Sequence, residues 1–505
     1  MKRRDFLKAT GASSLAGVWS SAKLTSIAEA AEVQATSPAT PAVLSTYTAA
    51  EHRQRLQNIA RCQQGIRTTM RKHLVTSYIP GQACYNLGEY PCRKPWDPDA
   101  YDEQELDRLR DHGIQLIQVF DDWNDSLRLF GGDKFTALNP SGFRRFVEMV
   151  HRRGMKLLAY VSTGFIEQTD PDFRPEWSRT GESLHVGYWN MARCSPSSAG
   201  WRAYVLPHIV GVLDNYDLDG IYIDCGYVTN AHRPPQELPT EDEVLAFQET
   251  PTHDAALGDL LALIYAEVKR RGGIVKLHVD GASQPLTGDL PVYDYLWVGE
   301  GVKSADTLRL KTKNYSPYVV PCIDKNFTQL ANEDEPYLHG VPYLQFPILQ
   351  AGRPVTGERA MIPGVHYQPA EKDFWMRRCR KIWEFYQTHP DGPYSYSIWD
   401  SVPGKPEIRP THARWLRQYL PLVEEGTWAW LEIGDTDFFP EPLPSQVVAS
   451  AFANRQLHLA VANYGQSAVQ LQTTDAYVPV DDPTATAAKT WSLAARSLHI
   501  LRRST

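Results

Sequence analysis

Two hydrophobic periods alternate along most of this chain. From about residue 76, short apolar runs recur at intervals. "ACYNLG" (83–88), "IQLIQVF" (114–120), "KLLAYVS" (156–162) and "GIYID" within "DLDGIYIDCGY" (217–227) read as strands. So do "IVKLHVD" (274–280), "YDYLWVGE" (293–300), "YSPYVVPCID" (315–324) and "YSYSIWD" (394–400). Between them apolar residues fall at three-and-four spacing. Leu106 and Leu109 share one helical face, and Gly113 ends that helix. Asn139 is placed to cap the next helix, with Pro140 in its first turn and Phe143, Phe146, Val147 and Val150 as its stripe. Trp201, Tyr204, Val205, Ile209, Val212 and Leu213 mark a third, in which Pro207 predicts a kink. Further helices are expected over 257–271 and 374–386.

Eight strands separated mostly by helices predict a parallel sheet, and the span 76–415 suits a (β/α)8 TIM barrel of the α/β class. An open doubly wound sheet should carry a Gly-rich turn after its first strand, and "NLGEYPCRKP" is no dinucleotide fingerprint. The tail changes period. "VVASAFANRQLHLAVANYG" (447–465) and "SAVQLQTTDAYV" (467–478) alternate every second residue, so 420–505 reads as a C-terminal antiparallel β-sandwich.

The first thirty residues belong to neither pattern. Arg3-Arg4-Asp5-Phe6-Leu7-Lys8 resembles a twin-arginine export signal, a weakly apolar stretch follows, and Ala28-Glu29-Ala30 offers a cleavage site. That predicts a Tat-exported, periplasmic or secreted protein, with 31–75 as a flexible leader and an N-terminal helix. No later stretch is apolar enough for a membrane span, so no stable insertion is expected after signal removal. A formal net charge of −7 without a basic patch argues against nucleic acid. The 7 Cys include no CxxC pair, which argues against a zinc site, while Cys84 and Cys92 bracket a short loop and could pair. Aromatics reach 11%, enough to furnish both a core and stacking surfaces for sugar rings.

In such a barrel the chemistry lies where the strands end. There the chain places Asp121-Asp122-Trp123, then Asp224, His278-Val279-Asp280, Glu300, and Trp399-Asp400. Carboxylates close five of the strands, although clustered like charges repel. Asp219, just before Gly220, reads as a turn residue. Glu300 stands between Gly299 and Gly301, where glycine serves close backbone approach rather than regular structure. Two carboxylates facing one substrate are what glycosidic cleavage requires, one as nucleophile and one as acid/base.

The stretch "FDDWNDSLRLFGGDKFTALNPSGFRRFVEMVHRRGMKLLAYVSTGF", together with "DLDGIYIDCGY", resembles the α-galactosidase (melibiase) group of clan-D glycoside hydrolases over roughly 115–230. The resemblance implies that Asp224 is the nucleophile and that Asp121 and Asp122 hold sugar hydroxyls. Tyr222 stands where that group carries a Lys, and Glu300 where it carries an Asp as acid. The expectation is therefore a secreted retaining glycoside hydrolase acting on an α-glycoside of an oligosaccharide or polysaccharide, needing no cofactor and no metal. Asp224 would attack and Glu300 would be the acid/base, with Asp280 the second choice for that role. Trp123, Tyr160, Tyr222, Trp399 and Asp400 would complete the sugar subsite. Two alternatives stay open: a metal-dependent hydrolase using His278, Asp280 and Glu300, and a non-catalytic carbohydrate-binding barrel.

Overall fold

The computed structural model describes residues 47–186, 189–224, 253–279, 292–300, 302–315, 318–321, 323, 330–358, 369–389 and 409–504. Asp280, Trp399, Asp400 and the export signal lie outside the described residues.

Eight parallel strands form one sheet. They are β1 (Gln82–Asn86), β2 (Leu116–Val119), β3 (Lys156–Ser162), β4 (Gly220–Asp224), β5 (Ile274–Val279), β6 (Tyr295–Val298), β7 (Val319–Pro321) and β8 (Leu349–Gly352). Their order is β7-β6-β5-β4-β3-β2-β1-β8, the cyclic order of a (β/α)8 barrel read from one seam. Helices α1 (Ala100–His112), α2 (Pro140–His151), α3 (Ala199–Tyr216) and α4 (His253–Arg270) follow the first four strands. Asn139 caps α2 as expected, accepting from the Gly142 amide, and Pro140 opens its first turn. Asp99 caps α1, and Gly113 ends it in the left-handed conformation, φ 98°. Pro207 sits inside the continuous span of α3. Between β3 and α3 the chain adds a small antiparallel sheet of Phe165–Glu167, Ser178–Val186 and Trp189–Cys194.

Alternation along each strand divides the apolar residues into two cores. Ile221, Ile223, Val275, Leu277, Val279, Leu296 and Val298 face outward and pack against the helices. Cys84, Tyr222, Tyr295, Trp297, Val320 and Ile348 face inward and fill the barrel.

The eighth strand is not where the sequence pattern put it. It is Leu349–Gly352, four buried residues in "FPILQAG", whereas 394–400 lies outside the described residues. So short a strand ending at a glycine gives almost no periodic signal.

The C-terminal sheet has seven antiparallel strands, and one of its two edge strands is Thr69–Leu74, paired with Trp428–Ile433. Part of the expected leader is thus built into the far end of the chain. The helix Ala49–Gly65 carries a capping box of Thr48 and Glu51, and its Ile59 and Cys62 join Trp430, Leu459, Leu471, Tyr477 and Trp491 in a second core. On the opposite face Leu431, Phe452, Ala460 and Ile500 join the barrel's outer core. Among the described residues no helix is long and apolar enough to cross a membrane. Cys84 and Cys92 form no disulfide with each other, and Cys92 donates to the Lys94 carbonyl.

Candidate active site

The last residue of β4 is Asp224, and its register partner on β3 is Ser162. Tyr160, two residues earlier on β3, projects into the same interior and donates its hydroxyl to Asp224 Oδ2 at 2.8 Å. His278, next to last on β5, places Nδ1 at 3.0 Å from Asp224 Oδ1. An ionised carboxylate only accepts, so Nδ1 carries the hydrogen. Both Asp224 oxygens are therefore held by donors from neighbouring strands. Donors on the charged form favour ionisation.

Glu300 comes two residues after β6. Gly299 before it has φ 134°, a backbone region closed to residues with a Cβ, so the glycine makes the turn that delivers the acid. Glu300 Oε2 lies 3.3 Å from His278 Nε2, off the line of a straight hydrogen bond. One imidazole thus stands between the two carboxylates. Its side chain is 5% exposed, against 24% for Asp224 and 38% for Glu300. The acids reach solvent while the ring between them does not.

Beneath this layer the barrel is lined by aromatic residues. Tyr222 pairs in register with Tyr160 and with Lys276, and its ring stacks with His278 at 6.1 Å between centroids. Trp297 meets His278 edge-on at 4.6 Å. Tyr222 is 1% exposed, which makes it a floor under Asp224 rather than a sugar contact. Tyr160, expected as a stacking surface, is partly exposed and gives its hydroxyl to the Asp224 carboxylate.

Two further expectations are corrected. Trp123 points away from the barrel interior: it stacks on Phe143 of α2 at 5.1 Å, meets Tyr216 of α3, and donates its indole to the Tyr160 carbonyl. It fills the outer core and cannot face a sugar. Asp122 turns its carboxylate on the backbone, accepting from the Leu87 amide at 2.6 Å and the Gly88 amide at 3.2 Å, so it fixes the loop after β1. Burial, with the adjacent Asp121 charge, pushes its carboxyl up to about 7. Asp121, partly exposed, opens the short turn that follows β2. Asp219 is the turn residue expected at the other end of β4.

His278 is the residue the sequence reading undervalued. In "IVKLHVD" the polar residues Lys276, His278 and Asp280 alternate with Val275, Leu277 and Val279. A strand that is apolar on one face and chemically loaded on the other points its polar face into the barrel. Of the alternative metal set His278, Asp280 and Glu300, Asp280 lies outside the described residues. Among the described residues no three His, Cys, Asp or Glu cluster as a metal set.

No family model matches the chain, and no curated protein does. Solved structures do. A mutant trehalulose synthase is 11% identical, with TM-score 0.50, over 84% of this chain and 99% of that one. A maltogenic α-amylase from Thermotoga neapolitana is 12% identical (TM-score 0.47; 84% and 98% covered). A GH36 α-galactosidase from Geobacillus stearothermophilus is 13% identical (TM-score 0.45), with 84% of this chain matched to 55% of that one. At such identities the likeness is one of fold: the chain is a (β/α)8 barrel followed by a C-terminal antiparallel β domain.

Proposed function

We propose that this protein is a retaining glycoside hydrolase that cleaves an α-glycosidic bond in an oligosaccharide or polysaccharide. The observation that carries the reading is the pairing of Asp224 and Glu300 across His278 at the C-terminal mouth of the barrel. Asp224, gripped through both oxygens by Tyr160 and His278, is the nucleophile. Precise placement of the attacking atom is worth several orders of magnitude in rate, and a strand end supplies it. Glu300, more exposed and on a glycine-flanked turn, is the acid/base that protonates the departing oxygen and later activates water. The α-galactosidase-like sequence over roughly 115–230 supports the α-anomer. Asp280, Trp399 and Asp400 remain proposed subsite residues, and Asp121 is the acid of the β2 pair left to meet a hydroxyl. The twin-arginine segment supports export in the folded state, which fractionation of a variant with Arg3 and Arg4 replaced by Lys would check.

Trapping with a panel of fluorosugars and cyclitol epoxides, followed by mass spectrometry, tests the assignment. Asp224 should carry the label, and the anomeric proton signal of the first product should match the substrate. A label on another residue, or inverted product, would overturn it.

A further inference from the structure

Resting on that reading, we propose that His278 is a positioning residue that keeps Glu300 in its acid form between turnovers. A neutral imidazole has one N–H and one lone pair. Asp224 takes the N–H at Nδ1, at 3.0 Å, so in the neutral ring the lone pair is on Nε2, 3.3 Å from Glu300 Oε2 though not aligned with it as a hydrogen bond. A Glu300 carboxylate beside that lone pair is repelled by it, whereas a Glu300 carboxyl that turns its hydroxyl toward Nε2 donates to it. The ring therefore presents a donor to the nucleophile and an acceptor to the acid. That opposite assignment is what double displacement needs.

The groups packed around the ring preserve this state. From β4 come Asp224 and, stacked on the ring, Tyr222; from β6 come Trp297, edge-on, and Glu300 just beyond it. Tyr160 of β3 acts through its bond to Asp224. On its own strand Lys276 lies two residues below, fully buried with its amine pushed down to about 7 by desolvation. The aromatic walls hold the imidazole between its two carboxylates and leave its side chain 5% exposed.

The proton balance follows. In the first half-reaction the bond from the anomeric carbon to the leaving oxygen breaks, Asp224 Oδ forms the new bond, and the Glu300 proton leaves on the alcohol. In the second, water gives its hydroxide to the anomeric carbon and its proton to Glu300, the Asp224 ester bond breaks, and the Glu300 hydrogen returns to Nε2.

His278→Asn keeps a donor near the Nδ1 position and removes the acceptor; His278→Gln places an amide near the Nε2 position. For both variants kcat/KM on glycosides with poor leaving groups should fall about ten- to a hundred-fold. A dinitrophenyl glycoside, whose leaving group needs no acid, should lose less than about threefold in His278→Asn. The alkaline limb of the pH profile should move down by about one pH unit, because the protonated form of Glu300 has lost its acceptor. Equal losses across leaving groups, or an unmoved limb, would overturn the proposal. A readout that needs no turnover accompanies it: nitrogen NMR of labelled histidine in the whole protein should show His278 as the Nδ1–H tautomer at neutral pH. An Nε2–H tautomer would overturn the proposal outright. If Asp224 is labelled by the trapping reagent yet the limb does not move, this inference fails and the function stands. If no glycoside is turned over and nothing is trapped, the functional reading fails while the tautomer remains measurable.

Discussion

Strand β4 has an Asp–His pair at each end, and the two pairs are almost alike in geometry. Below the strand, Asp219 Oδ2 lies 2.8 Å from His151 Nε2; at its top, Asp224 Oδ1 lies 3.0 Å from His278 Nδ1. The aspartates are equally accessible, at 25% and 24%. What differs is the histidine and its far nitrogen. His151 is 32% exposed, and its Nδ1 is 3.9 Å from Asp217, a side chain almost wholly in water. His278 is enclosed by Tyr222 and Trp297 and faces a second acid. The lower aspartate is also tied to the fold, since it accepts from the amide of Leu157, the second residue of β3. On the proposed function such a pair alone is a strand fastener, and enclosure with a third partner is what makes the upper one a site.

The sharpest way to break this comparison is to neutralise both aspartates in turn. Asp224→Asn should lower kcat by a thousand-fold or more on the substrate class found by trapping, with unchanged unfolding, as expected when a group acts only in the transition state (about 4 kcal/mol of barrier). Asp219→Asn should leave kcat within about twofold. If both variants are equally active, the upper pair is no more a site than the lower. Tyr160→Phe removes one of the two donors on Asp224 and belongs between them, with kcat down about ten- to a hundred-fold, the usual cost of one lost charge-assisted bond of about 1.5–3 kcal/mol.

If enclosure makes the difference, other groups in the same interior should carry its mark. Lys276, one layer below His278, is 0% exposed, and its Nζ has no hydrogen-bond partner among the described residues. Desolvation pushes its amine down to about 7, with only the nearby Cys84 opposing. The unfolded chain keeps the proton up to about pH 10.5, so between pH 7 and 10 the unfolded state binds more protons. Folding should then gain about 1.4 kcal/mol per pH unit across that window from this residue alone. Lys276→Met should raise stability at pH 7 by about 1–4 kcal/mol. Its advantage over the natural chain should shrink as pH rises toward 10, by urea unfolding at each pH. An advantage independent of pH would mean that the amine is solvated and the interior is open.

The barrel was legible because its strands and helices keep different periods and its caps are local. β3 spans the predicted residues 156–162, and Asn139 caps α2 through a bond three residues long. β8 was not legible, because four residues cannot show a period and its place is fixed by pairing with β1, far away in sequence. Thr69–Leu74 escaped for the same reason: its partner strand lies more than 350 residues on. At the site, Asp224 and Glu300 could be read from where their strands stop. Trp123 could not, since a tryptophan after a strand reads identically whether it turns inward to a ligand or outward to Phe143 and Tyr216. His278 could have been found from the polar face of "IVKLHVD", but only once inward-facing polar residues were given the same weight as terminal acids.

The smallest effect belongs to the lower pair, and it separates two explanations of what Asp219 does. As an ion pair with a histidine that is one-third exposed, it should be worth less than about 1 kcal/mol and should weaken in salt. As the acceptor for the Leu157 amide at 2.9 Å, it satisfies a backbone donor at the start of a buried strand, and leaving that donor unmade costs about 1–3 kcal/mol whatever the salt. Asp219→Ala should therefore destabilise the protein by about 1–2 kcal/mol, and 1 M NaCl should not alter that difference. His151→Ala should cost well under 1 kcal/mol, and the two losses should add in the double variant with little coupling. A strong, salt-sensitive coupling would instead make the lower pair a true electrostatic unit. The contrast between the two ends of β4 would then rest on enclosure and on Glu300, not on the pair.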